Sequence, residues 1–319
     1  MIQKKDLEQA STCSKKFKER FILLIFFAEG RLGNQLFQYM FLKTIQHRNE
    51  PILVNGFDDL KEVFENSDYL YLSNKNKVFR NIWKRLLKPI IKGLSKLNII
   101  STINVRTDII GNGYIRESDS YTTTPGLFSS IRFVELGFFQ SEAFFDPLLA
   151  RNLRIKNKYL TQGALALKNI PKNAAKTFVH IRLSDYKDFK INDRDTCLPL
   201  HYFLEQIVAI SEKNNNSFFI FLSDEPEYAK KHFAHIQNSI ITENNHYGVD
   251  FTIMTLCNNG ILSPSSFGWW GSYLMKKRNF VFAPQYWLGF NSEIDFPTKP
   301  LAAYMHSIKI ENKPRKFQI

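Results

Sequence analysis

The 319 residues include 43 Lys and Arg against 30 Asp and Glu, a formal net charge of +13, with 44% hydrophobic and 23% charged residues. That apolar content excludes a largely disordered chain, and the length suggests about two domains at roughly 100–200 residues each. Cys13, Cys197 and Cys257 lie far apart, which excludes a disulfide framework and a CxxC metal ribbon.

The leader Met1–Arg20 carries charges of both signs, unlike a secretory signal, so a cytoplasmic chain is expected. The longest apolar run, Phe21–Ala28, falls well short of the roughly 20 residues of a bilayer span and reads as a buried strand. The turn Glu29-Gly30-Arg31-Leu32-Gly33 follows, then a helix from about Asn34 to His47 with Leu36, Phe37, Met40 and Phe41 at helical spacing, then a strand over Pro51–Val54. Residues 75–97 form a basic amphipathic insertion. Phe79, Ile82, Trp83, Leu86, Leu87, Ile90, Ile91 and Leu94 recur at helical spacing, and Lys75, Lys77, Arg80, Lys84, Arg85, Lys88, Lys92 and Lys96 fall between them. Pro89 should kink or split that helix.

Leu160–Lys176 is a polar connection between halves, giving an N-terminal lobe over 1–165 and a C-terminal lobe over 166–319. The second half repeats the alternation: strand Thr177–Ile181, helix Pro199–Ser211, strand Phe218–Leu222, helix Pro226–Phe233, strand Gly260–Leu262, helix to Lys277, strand Phe280–Ala283. Strand–turn–helix repeats of this kind predict an α/β fold of two Rossmann-like lobes facing across a cleft, with ligands at the carboxyl ends of the strands.

The chemistry-bearing residues fall at those ends. Gly30 to Gln35 joins strand to helix, where glycines allow a tight turn and close approach, and a helix N-terminus favours an anion. An ordinary turn with Asn34 as N-cap fits the same residues. The spacing is not that of a dinucleotide fingerprint. His180-Ile181-Arg182 leaves a strand with Asp185-Tyr186 behind it. A strand-end Arg suits a phosphate through its planar fork, and Asp185 either orients it, acts as a base, or forms a structural ion pair. Ser265-Ser266-Phe267 opens a helix and makes an anion cradle, or merely caps that helix with Phe267, Trp269 and Trp270 as core. Asp193-Arg194-Asp195 resembles a metal–nucleotide motif but sits in a polar loop. His232 and His235 lack a third ligand, and Cys257 reads as core.

Taken together, Gly30-Arg31-Leu32-Gly33-Asn34-Gln35-Leu36-Phe37-Gln38-Tyr39, Val179-His180-Ile181-Arg182-Leu183-Ser184-Asp185-Tyr186 and Ser265-Ser266-Phe267-Gly268-Trp269-Trp270-Gly271 resemble glycosyltransferase family 11, the α-1,2-fucosyltransferases. Gly137-Phe138-Phe139-Gln140-Ser141-Glu142, Phe221-Leu222-Ser223-Asp224 and Ala283-Pro284-Gln285-Tyr286-Trp287 support the resemblance, which spans about Phe21 to Trp287. It implies a GT-B-type fold and inverting transfer of L-fucose from GDP-fucose to O2 of a galactoside. Neither metal nor cofactor is implied. Carried over, Arg182 holds the diphosphate, with His180 and Asp185 in the same wall. Ser265, Ser266 and Phe267 bind phosphate and nucleoside, and Asp224 contacts guanosine. Gly33, Asn34 and Gln35 face the donor from the first lobe, and Gln140 and Glu142 lie on the acceptor side. Asp185 and Glu142 are the base candidates.

Two departures stand out. Leu183 and Ser184 replace a second Arg and a Gly of the family pattern, for which Lys187, Lys190 or Arg194 could substitute. Pro264 replaces a small polar residue, which leaves room for a donor other than GDP-fucose. A nucleotide-sugar- or carbohydrate-binding protein with weakened turnover is the alternative class. The basic segment suits either a solvated helix face or docking to an anionic membrane carrying a lipid-linked glycan. Nucleic acid is not an expected partner, since no nucleic-acid module is recognisable.

Overall fold

The computed structural model describes residues 22–65, 68–71 and 77–311. The expectations placed on the Met1–Arg20 leader and on Lys75 lie outside those residues, as do the side chains of Lys77, Phe79 and Arg80.

The first lobe is built on a six-stranded sheet. Its strands are β1 (Leu23–Phe27), β2 (Ile52–Asn55), β4 (Leu70–Tyr71), β5 (Ile100–Ile110), β6 (Tyr114–Thr124) and β7 (Phe128–Val134), in the order β4-β2-β1-β7-β5-β6. The β1, β2, β4, β7 and β5 pairings are parallel, and β6 alone is antiparallel, joined to β5 as a hairpin. Helix α1 (Leu32–Ile45) is buried along most of its length because it lies between this sheet and the second lobe. Short elements follow: α2 (Asp58–Val63), and β3 (Phe64–Glu65) paired with β8 (Arg154–Ile155). Arg132 of β7 forms a buried ion pair with Glu50, its Nε donating to Oε1 at 2.9 Å.

The insertion is one helix, α3 (Lys77–Lys96), which runs through Pro89 without being split. Pro89 is on the exposed side, as is Arg85, whose carbonyl proline leaves without a donor and which there is open to solvent. The expected polar connection at Leu160–Lys176 begins inside a helix. After α4 (Pro147–Ala150), α5 (Asn157–Ala166) packs on the second lobe. Gly163 is small there because a Cβ would stand 2.6 Å from Thr252 Cγ2, so the glycine marks a close helix contact and not a linker.

The second sheet contains β9 (Ala175–Ile181), β12 (Ser217–Ser223), β13 (Ser239–Ile241), β14 (Asn259–Leu262), β15 (Phe280–Pro284) and β16 (His306–Ile308). All are parallel, in the order β13-β12-β9-β14-β15-β16, which is the 3-2-1-4-5-6 arrangement of doubly wound folds. Its helices are α6 (Leu200–Lys213), α7 (Pro226–Phe233), α8 (Tyr247–Thr255) and α9 (Ser266–Tyr273). Helix α9 stops four residues before the expected Lys277. Arg278 folds back, its Nη1 donating to the carbonyls of Ser272 at 3.0 Å and Tyr273 at 3.2 Å, and so caps the end. A small antiparallel pair, β10 (Lys190–Ile191) and β11 (Arg194–Asp195), leaves the surface.

Strand order reverses between β1 and β7 in the first sheet and between β9 and β14 in the second. Both reversal points open at the carboxyl ends of their strands, where doubly wound sheets hold ligands.

Candidate active site at the facing strand ends

The two openings share one cleft of about 1300 Å³. His180, Arg182, Asp185, Gly33, Asn34, Gln35, Asp224, Ser265, Ser266, Phe267 and Gln140 all line it.

After β1 the chain turns at Gly30, whose φ of +86° favours glycine, and α1 starts at Leu32. Asn34 therefore lies inside the first turn of α1 and is not its N-cap. Arg31 holds that position without a side-chain bond. Asn34 instead joins three segments: its Oδ1 accepts from Gln140 Nε2 at 2.8 Å and from Ser266 Oγ at 2.8 Å. Gly33 admits the other lobe as well as a ligand, since a Cβ there would stand 2.4 Å from Phe267 N. Gln35 is buried and internally committed, with Nε2 donating to Gly30 O at 2.9 Å and Oε1 accepting from Leu60 N at 2.9 Å.

In the second lobe, β9 delivers His180 and Arg182. Burial, with Asp224 opposing and Arg182 assisting, holds the His180 imidazole down to about 4, so it is neutral at pH 7. The Nδ1 of His180 is buried without a hydrogen-bond partner, packed against Gly268. Arg182 pairs with two carboxylates: Nη2 with Asp185, and Nη1 with Asp224 Oδ2 at 3.0 Å. Asp224 also accepts from Leu183 N at 3.0 Å and Ser184 Oγ at 2.6 Å. Asp185 is the looser partner, its side chain 65% exposed against 20% for Asp224.

Leu183 is buried in the second lobe's core, so a side chain at that position does not face the cleft. The cations expected to compensate are not in the cleft either. Lys187 pairs with Glu225 and Lys190 with Asp195, and Arg194 sits on the β10–β11 hairpin. That hairpin also holds Asp193-Arg194-Asp195 away from the cleft. Among the described residues there is no cluster of three or more His, Cys, Asp or Glu side chains placed to hold a metal ion.

Ser265 is the N-cap of α9, with no side-chain capping bond, and Ser266 starts the helix. Phe267 packs beside His180 at 6.0 Å and Phe251 at 5.5 Å. Trp269 and Trp270 are core: both are fully buried, with Phe37 of α1 at 4.6 Å and 5.1 Å, and Trp269 Nε1 donates to Pro300 O at 2.9 Å. Glu142, placed on the acceptor side by resemblance, does not line the cleft. It sits in a 3-10 turn, and its carboxylate accepts from Ala303 N at 2.9 Å.

The cleft also holds residues that sequence reasoning missed: Glu29, Asp58, Asp59, Asn81, Lys84, Tyr247 and Asp250. Burial raises the Asp59 carboxyl against a hydrogen bond from Tyr247, whose hydroxyl reaches it across the lobes at 3.4 Å. Burial pushes the Asp250 carboxyl up to about 6 despite hydrogen bonds from Asn245 and Thr242. Glu29 is raised by burial but more strongly lowered by Lys88 and Lys84 of α3, whose Nζ atoms donate to it at 2.9 Å and 3.1 Å. Asp58 and Asp59, which open α2 with two residues between it and β2, carried a readable signal in their place just past a strand end. Tyr247 and Asp250 carried none beyond belonging to one helix.

The pattern of facing parallel sheets recurs in solved structures. The fucosyltransferase NodZ from Bradyrhizobium superposes with a TM-score of 0.50 at 11% identity, over 81% of this chain and 94% of that one. The shared architecture is GT-B type. In sequence, the O-antigen biosynthesis glycosyltransferase WbnK of Escherichia coli is 24% identical over 83% of this chain and 94% of its own length. An alpha-1,2-colitosyltransferase of Escherichia coli is 25% identical over 81% and 90%. The model of the family described as glycosyl transferase family 11 matches residues 23–304, a stretch that contains every strand of both sheets except β16 and every cleft residue named above, and the chain belongs to that family.

Proposed function

We propose that this protein transfers L-fucose from GDP-fucose to O2 of a galactoside, with inversion and without a metal ion, in the assembly of a glycan or surface polysaccharide. The observation that carries this reading is the convergence of Arg182 and the first turn of α9 on one reversal point, opposite Asp59 of the first lobe. A departing nucleoside diphosphate needs preorganised positive charge, and a guanidinium beside free helix N–H groups supplies it.

The ion pairs around Arg182 give the binding step. Asp224 is held by Leu183 N and Ser184 and keeps one edge of the guanidinium oriented. Asp185, more exposed, yields its place to phosphate. Ser265, Ser266 and the amide of Phe267 cradle the same phosphates, the Ser266 hydroxyl by turning its one proton from Asn34 to the ligand. Asp224 is committed to Arg182, whereas Asp250 carries neutral hydrogen-bond donors and no ion pair among the described residues, so Asp250 is the better carboxylate for the N1–H and amino group of guanine. For the acceptor, Asp59 takes the proton from the attacking hydroxyl while the bond from the sugar anomeric carbon to the β-phosphate oxygen breaks and GDP leaves. The raised Asp59 carboxyl suits a base better than Asp185, already ion-paired, or Glu142, outside the cleft.

A second reading changes only the donor sugar. Pro264 departs from the family pattern within the cleft, and one relative is a colitosyltransferase, so another deoxysugar attached to GDP is the nearest alternative.

The test incubates the protein with a panel of GDP-sugars and galactosides in the presence of EDTA and measures released GDP and the linkage of the product. A 1,2-linked fucoside in undiminished yield is expected, and donor binding without turnover would make this a binding protein. Arg182→Ala should weaken GDP binding by about 10- to 100-fold through loss of charge-assisted hydrogen bonds. Undiminished binding by that variant would remove Arg182 from the phosphate site.

A further inference from the structure

Helix α3 has three differently employed faces. Leu87, Ile91 and Leu94 pack on the first sheet beside Ile25, Phe27, Ile100 and Phe133. Lys84 and Lys88 turn to Glu29 at the cleft. The third face has no cover among the described residues. Val78, Ile82, Leu86 and Ile90 follow one another every fourth position, 64%, 48%, 58% and 56% exposed. Leu127 and Phe128 extend this stripe past the helix end, 80% and 56% exposed, tied there by the hydrogen bonds of their amides to Asn98 O and Ile99 O. Arg85, Lys92 and Lys96 border the stripe on the side away from the sheet, and no acidic residue occurs between 77 and 96.

We propose that this face of α3 is a docking surface for an anionic lipid bilayer. A continuous apolar stripe edged by cations alone fits the boundary between headgroups and acyl chains, where the apolar side chains leave water and the cations meet lipid phosphates. Charge complementarity selects this occupant over the others within reach. A second copy of the chain would bring its own Arg85, Lys92 and Lys96 against these. The first 21 residues carry Lys4, Lys5, Lys15, Lys16, Lys18 and Arg20 against Asp6, Glu8 and Glu19, and would be repelled as well. No helix among the described residues is long and apolar enough to cross a membrane, so α3 lies on the bilayer. Asn81 and Lys84 of the same helix line the cleft, so docking sets its mouth at headgroup level. If the transferase reading holds, an acceptor carried on a lipid then meets the site without leaving the surface.

Co-sedimentation of the full chain with phosphatidylcholine vesicles, with and without phosphatidylglycerol, tests this independently of any sugar transfer. Strong pelleting is expected only with the anionic vesicles. Ile82→Glu with Leu86→Glu should reduce it at least tenfold, and Arg85→Glu, Lys92→Glu and Lys96→Glu together by about 100-fold. Both variants should keep the parent's melting midpoint and GDP binding, since none of these residues lines the cleft. Equal pelleting with both vesicle types, no pelleting, or variants that pellet like the parent would each overturn the proposal. So would a lipid-free dimer in sedimentation velocity that the Ile82/Leu86 variant abolishes.

Discussion

Asp224 and Asp250 both face the cleft from the second lobe, yet their surroundings give them different work. Asp224 is a hub for Arg182, Leu183 N and Ser184, whereas Asp250 is largely buried on α8 with its carboxyl raised to about 6. The raised value sets a sign. Above the ordinary 3.8 an unfolded chain has lost this proton while the folded one keeps it, so stability falls as pH rises from about 3.8 to about 6. Asp250→Asn should therefore melt at a higher temperature at pH 7, by about 1–2 kcal/mol of stability, and yet bind GDP more weakly. In the parent, GDP affinity should fall as pH drops through about 6, a dependence that titration calorimetry would find absent in the variant. Arg182, Ser265 and Ser266 were legible because the end of a strand or the start of a helix has local markers. Asp250 was not, because nothing beside it in the chain records which carboxylate is buried. Leu183 was misjudged for the same reason: the side chain points into the core.

Helices α1 and α9 meet end to end, and glycine makes that meeting possible. Ser266 donates to Asn34 across the junction, Phe37 packs on Trp269 and Trp270, and Gly33 leaves the space that Phe267 N requires. A methyl group at Gly33 would collide with backbone at 2.4 Å and force the helix starts apart. Gly33→Ala should destabilise by about 1–3 kcal/mol in chemical denaturation, in the range of overpacked sites, and weaken GDP binding in parallel. Ala tolerated with full binding would mean that the helices slide without disturbing the cradle. The strand-to-helix turn was readable from its glycines, and they were read as serving a tight turn and the close approach of a ligand. In fact one of them accommodates a helix more than 230 positions later in the chain.

At the scale of the molecule, the β5–β6 hairpin straps one lobe to the other. From its tip, Tyr114 donates to Asp193 Oδ1 at 3.0 Å. Arg116 donates to Asp295 O at 2.7 Å, and Asp119 pairs with Lys299 at 2.6 Å. Between Arg116 and Asp119, Glu117 is pushed up by burial while accepting from Phe138 N at 2.7 Å and Phe139 N at 2.8 Å, next to Gln140 of the cleft. Replacing Tyr114 with Phe, Arg116 with Ala and Asp119 with Ala together should lower stability by about 2 kcal/mol, some 4–8 °C in melting midpoint, and broaden the transition as the lobes uncouple. A midpoint unchanged in calorimetry would show that the strap carries no load. Net charge is likewise resolved at this scale. Arg182 is paired with two carboxylates, while Arg85, Lys92 and Lys96 remain together on an outer face.

The sequence by itself determined the alternation of strands and helices, the placing of candidate residues at the ends of β1, β9 and β14, and the family. Periodicity, glycine turns and helix starts are properties of neighbouring residues, so they survive without a structure. The tertiary structure alone decided which carboxylates enter the cleft, that Leu183 and the two tryptophans belong to the core, and that Glu142 stands outside. It also decided that a long hairpin binds the lobes and that one face of α3 is left bare. Each of these depends on contacts between residues far apart in the chain, where side-chain type no longer records which partner it meets.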